Sequence, residues 1–117
     1  MGRVDVTVQI SNLENTQARE VEAMVDTGAT YSFMPASMLR ELGIAPHRTM
    51  TFRLADGRTA EYPVGRGIVR VNGYAEVVAV CFGPDDARPL VGVVTLEELG
   101  LGVDPVKGEL IDLEPTL

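Results

Sequence analysis

Apolar and polar residues alternate with a period of two over much of this chain, the pattern of strands with one buried face. Val4, Val6, Val8 and Ile10 alternate with Asp5, Thr7 and Gln9. The turn formers Ser11, Asn12 and Asn15 follow, and alternation resumes from Glu20 through Val21, Ala23 and Val25. The pair predicts a β-hairpin that delivers the chain to Asp26. Met50, Phe52 and Leu54 alternate up to Ala55-Asp56-Gly57-Arg58, a strong hairpin-turn signal, and the return passes through Ala60, Tyr62 and Val64. Ile68, Val69 and Val71 and the run Ala75 to Phe82 predict further strands about an Asn72-Gly73 turn. Leu90 to Val94 reads as a buried strand and Glu109 to Leu113 as a final one.

Two short helices interrupt this pattern. Pro35 to Leu42 places Met38, Leu39 and Leu42 on one face, with Pro35 in the first turn and Gly43 as the stop. Leu96 to Leu99 follows Thr95, a good N-cap, and ends at Gly100. No linker, low-complexity segment or internal repeat breaks the chain. The expectation is a single all-β domain over residues 1–117, with its core between about 4 and 113 and one or two short helices.

Composition narrows the function classes. Ten Lys and Arg against 17 Asp and Glu give a net charge of −7, and the cations are scattered. Phosphate binding needs clustered cations, so no nucleic-acid partner is expected. No apolar stretch approaches the roughly 18 residues of a membrane helix, and the N-terminus has no signal-peptide core. The single cysteine, Cys81, has no disulfide or metal partner. Together these readings predict a cytoplasmic protein with no membrane association and no metal.

The chemistry concentrates in Ala23-Met24-Val25-Asp26-Thr27-Gly28-Ala29-Thr30. An apolar strand that ends in a carboxylate needs something to hold that group. Gly28, two residues on, permits a tight turn whose backbone N–H groups face the carboxylate. Thr27 between them offers a hydroxyl that can bond across an interface. Such an aspartate can work as a general acid or base if a second one sits opposite it.

Val25-Asp26-Thr27-Gly28-Ala29-Thr30 resembles the active-site signature of the retropepsin-like aspartic proteases, the single-lobed relatives of the pepsins. Phe33-Met34-Pro35 with Leu39, Leu42, Gly43 and Ile44 is similar to the segment after the signature in bacterial and archaeal members. Leu54-Ala55-Asp56-Gly57-Arg58 to Tyr62-Pro63-Val64-Gly65 resembles their flap hairpin. Leu90-Val91-Gly92, then Leu96, Leu99-Gly100 and Val103-Asp104-Pro105, resembles their second block. The resemblance runs in order over roughly residues 4 to 113 and implies a closed, barrel-like all-β fold.

The resemblance also implies a mechanism. One Asp-Thr-Gly per chain requires a symmetric homodimer whose two Asp26 side chains meet at the two-fold axis. Two carboxylates about 3 Å apart cannot both carry charge, so they share one proton. The implied activity is hydrolysis of a peptide or protein substrate by an activated water, with no cofactor. Asp26 is the implied catalytic residue. Thr27, Gly28 and Ala29 form the substrate-contacting loop, and Ala55, Asp56, Gly57 and Arg58 form the flap. Val93 stands where viral members carry an Arg that supports the dimer. With little chain ahead of the first strand, the final strand, Glu109 to Leu113 and the trailing Glu114 to Leu117, is expected to serve the dimer. The alternative is a catalytically inactive peptide-binding or dimerisation module of the same fold.

Val25, Ala29, Val64 and Val91 are the candidate pocket residues. Other chemistry-bearing residues have plainer readings. His47 follows Pro46 in a loop without partners and reads as exposed, and Cys81 lies between Val80 and Phe82 and reads as a core thiol. Gly65-Arg66-Gly67 lacks the rest of a dinucleotide fingerprint. Glu97-Glu98 and Asp85-Asp86 read as solvated faces.

Overall fold

The computed structural model describes residues 3–114. Residues 1–2, at the start of the N-terminal stretch, and 115–117, at the end of the expected dimer segment, lie outside the described residues.

The alternation at the N-terminus forms the predicted hairpin. Strand β1 (Val4–Ser11) pairs antiparallel with β2 (Ala18–Val25) in one unbroken register, from Val4 opposite Val25 to Ser11 opposite Ala18. Val4, Val8 and Ile10 are buried and Asp5 and Thr7 exposed, as a period of two demands. β3 (Ser32–Pro35) and α1 (Ala36–Glu41) follow. β4 (Pro46–Arg53) and β5 (Thr59–Val71) form the second hairpin. β5 turns through Asn72 and Gly73, both at positive φ, into β6 (Tyr74–Gly83). The chain ends with β7 (Leu90–Val91), α2 (Val93–Leu99), β8 (Leu101–Asp104) and β9 (Glu109–Asp112).

The main sheet has the order β1-β2-β7-β3-β6-β5-β4, and β1 also pairs with β5 through Gln9 to Ser11. That extra pairing closes the order on itself, with β4 attached outside, which is the barrel-like closure expected of the all-β class. A closed order removes most exposed edges. Inside it pack Val8, Ile10, Met34, Val69, Val80 and Phe82, none more than 2 % exposed. Helix α1 covers one side through Met38 and Leu39, and α2 another through Leu96 and Leu99. β8 and β9 form a separate two-stranded sheet that contributes Leu101 to the core.

The fold departs from the sequence reading at five places, the first being that β4 begins at Pro46, so His47, read as a loop residue, lies in a strand. The stretches around Val64 and Ile68 are one 13-residue strand, β5, rather than two. Residues Ser32–Pro35 form a strand, because β6 and β7 flank them on either side. Leu101–Asp104 forms a strand by pairing with β9. Finally, the buried strand expected over Leu90 to Val94 stops at Val91, and helix α2 begins at Val93. Its N-cap is therefore Gly92 rather than Thr95, which lies inside the helix and is 1 % exposed.

Candidate active site

Asp26 follows directly on β2, at the point where the strand stops pairing with β1 and is held by β7. Met24 donates its N–H to the Pro89 carbonyl (3.0 Å), and Asp26 donates its own to the Val91 carbonyl (2.9 Å). The parallel pairing of Met24 with Leu90 and Val25 with Val91 thus continues into the loop. The chain then turns tightly, and the Ala29 N–H returns to the Asp26 carbonyl at 3.1 Å.

The carboxylate is held as the sequence requires. The Gly28 N–H donates to Asp26 Oδ1 at 2.8 Å. Among the described residues Oδ2 has no partner, and the side chain is half-exposed. A Cβ on residue 28 would lie 3.2 Å from Oδ1, so glycine leaves room for that bond. Thr27 and Gly28 are exposed and Ala29 is half-buried. Thr27 makes no hydrogen bond within the described chain, so its hydroxyl is available to another molecule.

The far side of the loop is tied to α2. The Val93 N–H donates to the Ala29 carbonyl (2.8 Å) and the Val94 N–H to the Thr30 carbonyl (3.0 Å). The first N–H groups of a helix have no partner inside it; here the loop supplies their acceptors, and no side-chain cap is needed. The approach is close enough to require glycine at position 92, where a Cβ would sit 2.6 Å from the Tyr31 carbonyl carbon and oxygen. Beneath it, Ser32 Oγ accepts the Gly92 N–H at 3.1 Å and shares a 2.5 Å hydrogen bond with Thr95 Oγ1. Both hydroxyls are 1 % exposed. Sequence reasoning missed the Ser32–Thr95 pair, since two hydroxyls 63 positions apart carry no local signal.

The β4–β5 hairpin carries the candidate flap. At its tip Leu54 donates its N–H to the Arg58 carbonyl (2.7 Å), and Gly57 donates to the Leu54 carbonyl (3.0 Å) with φ at +89°. Asp56 Oδ1 accepts the Arg58 N–H at 2.9 Å, and Oδ2 accepts Arg58 Nε at 2.6 Å. Arg53 donates to the Gly57 carbonyl at 2.9 Å. Ala55, Asp56, Gly57 and Arg58 are all exposed. Lower on the hairpin, Phe52 meets Tyr31 edge to face at 5.8 Å, and Tyr62 meets Phe33 in the same way at 5.3 Å. Four of the six aromatic residues of the chain therefore join the hairpin to the segment just after the Asp26 loop.

The remaining candidates sort by burial. Val64 and Val91 are 2 % and 1 % exposed and belong to the core, whereas Val25 and Ala29 are half-buried. Cys81 is a buried thiol pushed up to about 11 by desolvation, which makes it a poor nucleophile. His47 is exposed. Asp85 does more than face solvent: its Oδ1 accepts the Ser37 N–H (2.9 Å) and so caps α1 from a distant loop. No group of three or more His, Cys, Asp or Glu among the described residues is placed to hold a metal ion. No helix among them is long and apolar enough to cross a membrane.

Residues 6–98 match a protein family described as gag-polyprotein putative aspartyl protease. The chain belongs to this family. Three solved structures show the same fold. The simian foamy virus (mac) protease is 20% identical, with a TM-score of 0.56, covering 80% of this chain and 91% of its own. The EIAV protease, solved with the inhibitor HBY-793, is 19% identical at a TM-score of 0.59, with 85% and 89% covered. A retropepsin-like aspartic protease from Rickettsia conorii is 18% identical at 0.56, with 88% and 85% covered. No curated protein sequence matches the chain. Family and fold together mark this chain as a retropepsin-like aspartic protease domain by descent, and support a protease function.

Proposed function

We propose that the chain is an aspartic endopeptidase that works as a symmetric homodimer, each copy giving one Asp26 to a catalytic dyad. The observation that carries this reading is the presentation of Asp26. Its Oδ1 is fixed by the Gly28 N–H at 2.8 Å while Oδ2 has no partner among the described residues. A single such carboxylate is half of an acid–base pair. A second copy brought up about a two-fold axis supplies the other half, and the two carboxylates then share one proton.

In this arrangement the charged Asp26 takes a proton from a water held between the two side chains. The protonated Asp26 donates a hydrogen bond to the scissile carbonyl and polarises it. Water is the nucleophile, so no covalent intermediate forms. Gly28 lies exposed beside the carboxylate, where its backbone can bond the main chain of an extended peptide. The Asp56-Gly57 tip closes over that peptide and excludes water. Thr27, with no partner among the described residues, bonds across the axis. The setting is cytoplasmic, with no cofactor, nucleic acid or membrane involved.

The test is cleavage of a diverse peptide mixture across about pH 3 to 7, read by mass spectrometry, with wild type and Asp26→Asn side by side. Cleavage by wild type and none by Asp26→Asn is the expected result, with matching far-UV circular dichroism for the two proteins. Equal cleavage by both overturns the mechanism. Silence from both makes the chain a binding or dimerisation module of the same fold.

A further inference from the structure

Cations that lie apart along the sequence are gathered by the fold onto two adjacent strands. Residues 46–71, from the start of β4 to the end of β5, hold Arg48, Arg53, Arg58, Arg66 and Arg70 against only Asp56 and Glu61, a charge of +3 with His47 neutral. The rest of the chain holds five cations and 15 acids, a charge of −10. Most cations outside the two strands are engaged. Arg3 and Arg88 hold Asp5 (3.1 and 3.0 Å), Arg19 holds Glu41 (2.8 Å), and Arg40 lies over the Phe82 ring. Within them, Arg58 is bound to the neighbouring Asp56 at 2.6 Å, whereas Arg48, Arg53, Arg66 and Arg70 have no carboxylate partner among the described residues. Arg53 bonds the Gly57 carbonyl, a neutral acceptor that leaves its charge uncompensated.

Arg53 and Arg58 flank the tip of the hairpin, and both are exposed. Arg48 is also exposed, and a period of two sets it on one face with Met50 and Phe52. That face meets Tyr31 and Phe33, just after the Asp26 loop, through Phe52 and Tyr62. It carries no acid, because Glu61 is opposite Thr51 and shares the other face. We infer that the hairpin selects acidic substrates: extended peptides whose Asp or Glu side chains, near the scissile bond, pair with Arg48, Arg53 and Arg58. The inference rests on the proposed function, which places the hairpin over the peptide. Charge complementarity of this kind gives specificity and speeds encounter. The −10 of the remaining chain sharpens it, since an acidic peptide is repelled by the body and drawn to the hairpin. A phosphate backbone fits less well. It needs a continuous track of cations, and here the apolar Met50 and Phe52 lie between Arg48 and Arg53, where amino-acid side chains can pack on them.

The test scores the sites cleaved in a diverse peptide mixture for Asp and Glu within about four residues of the cut, at low salt and at about 0.5 M salt. Wild type is compared with Arg48→Gln, with Arg48→Gln/Arg53→Gln and with Arg70→Gln. The last removes the same charge from the part of β5 that pairs with β1, away from the tip. Wild type is expected to favour acidic sites about fivefold over matched Asn and Gln sites at low salt, and less than about twofold at high salt. Arg48→Gln lowers that preference, the double variant abolishes it and Arg70→Gln keeps it. If the double variant melts early because the tip has lost its Gly57 bond, Arg48→Gln alone decides. No preference in wild type, a preference that survives in the variants, or an equal fall in Arg70→Gln overturns the inference and leaves the protease reading standing. If nothing is cleaved, fluorescence anisotropy of a labelled Glu-Val repeat peptide and its Gln-Val twin on the wild-type protein decides. Tighter binding of the Glu peptide that Arg48→Gln weakens upholds the inference and refutes the protease reading. Equal binding, no binding, or displacement of the Glu peptide by a lower concentration of single-stranded DNA overturns it.

Discussion

The Asp26 loop and the tip of the β4–β5 hairpin use the same local chemistry. In each an aspartate Oδ1 accepts the backbone N–H two residues on, from Gly28 at 2.8 Å and from Arg58 at 2.9 Å. What surrounds the two turns differs. The Asp26 loop is gripped from outside: the Asp26 N–H goes to β7, the Ala29 and Thr30 carbonyls accept from α2, and the Ser32–Thr95 pair holds Gly92 against it. The hairpin tip is held by its own residues, with Arg53 and Arg58 bonding within the turn and every tip residue exposed. In the proposed dyad a carboxylate must meet its symmetry mate within about 3 Å, which needs external anchors. The proposed cover, which must admit a peptide, needs few of them.

Substitutions break this contrast at graded cost. The largest effect is expected at Gly92→Ala, where the new Cβ meets the Tyr31 backbone at 2.6 Å and must push the loop away from α2. The expected loss is about 3 kcal/mol in urea denaturation, with cleavage abolished. Unchanged stability would mean that the loop is not anchored there.

Ser32→Ala comes next. It leaves the Gly92 N–H and the Thr95 hydroxyl without their shared partner in the interior, at a cost of about 2 kcal/mol. Restoration by Ser32→Thr would show that the hydroxyl, rather than the side-chain volume, is what matters. The smallest effect belongs to the hairpin. Phe52→Leu removes the edge contact with Tyr31 while keeping an apolar side chain, and about 1 kcal/mol is expected. Its main consequence is a raised KM for peptide with kcat little changed. A larger fall in kcat would tie the hairpin to the Asp26 loop more tightly than the contrast allows.

The same division decides what was legible in advance. Wherever the next residues along the chain settle the outcome, the reading and the structure agree. Alternation from Val4 to Ile10 becomes β1, and Asp56-Gly57 and Asn72-Gly73 become turns at their expected places with glycine at positive φ. The Gly28 N–H meets the Asp26 carboxylate because the two groups are only two residues apart. Gly100 ends α2 in the left-handed region, as a C-terminal glycine should.

The misreadings lie where a distant segment settles the outcome. Val93, Val94 and Thr95 are β-branched residues that favour extended backbone. They are helical because the Ala29 and Thr30 carbonyls, more than 60 positions earlier, accept the N–H groups that open the helix. Ser32–Pro35 carries too short a pattern to announce a strand and becomes one between β6 and β7. By itself the sequence determined the alternating strands of the hairpins, the turns and the local geometry of the aspartate, since these depend on steric and hydrogen-bonding preferences of neighbouring residues. Only the tertiary structure decided where α2 begins and that Gly92 must be glycine, because each depends on which backbone groups meet across the fold.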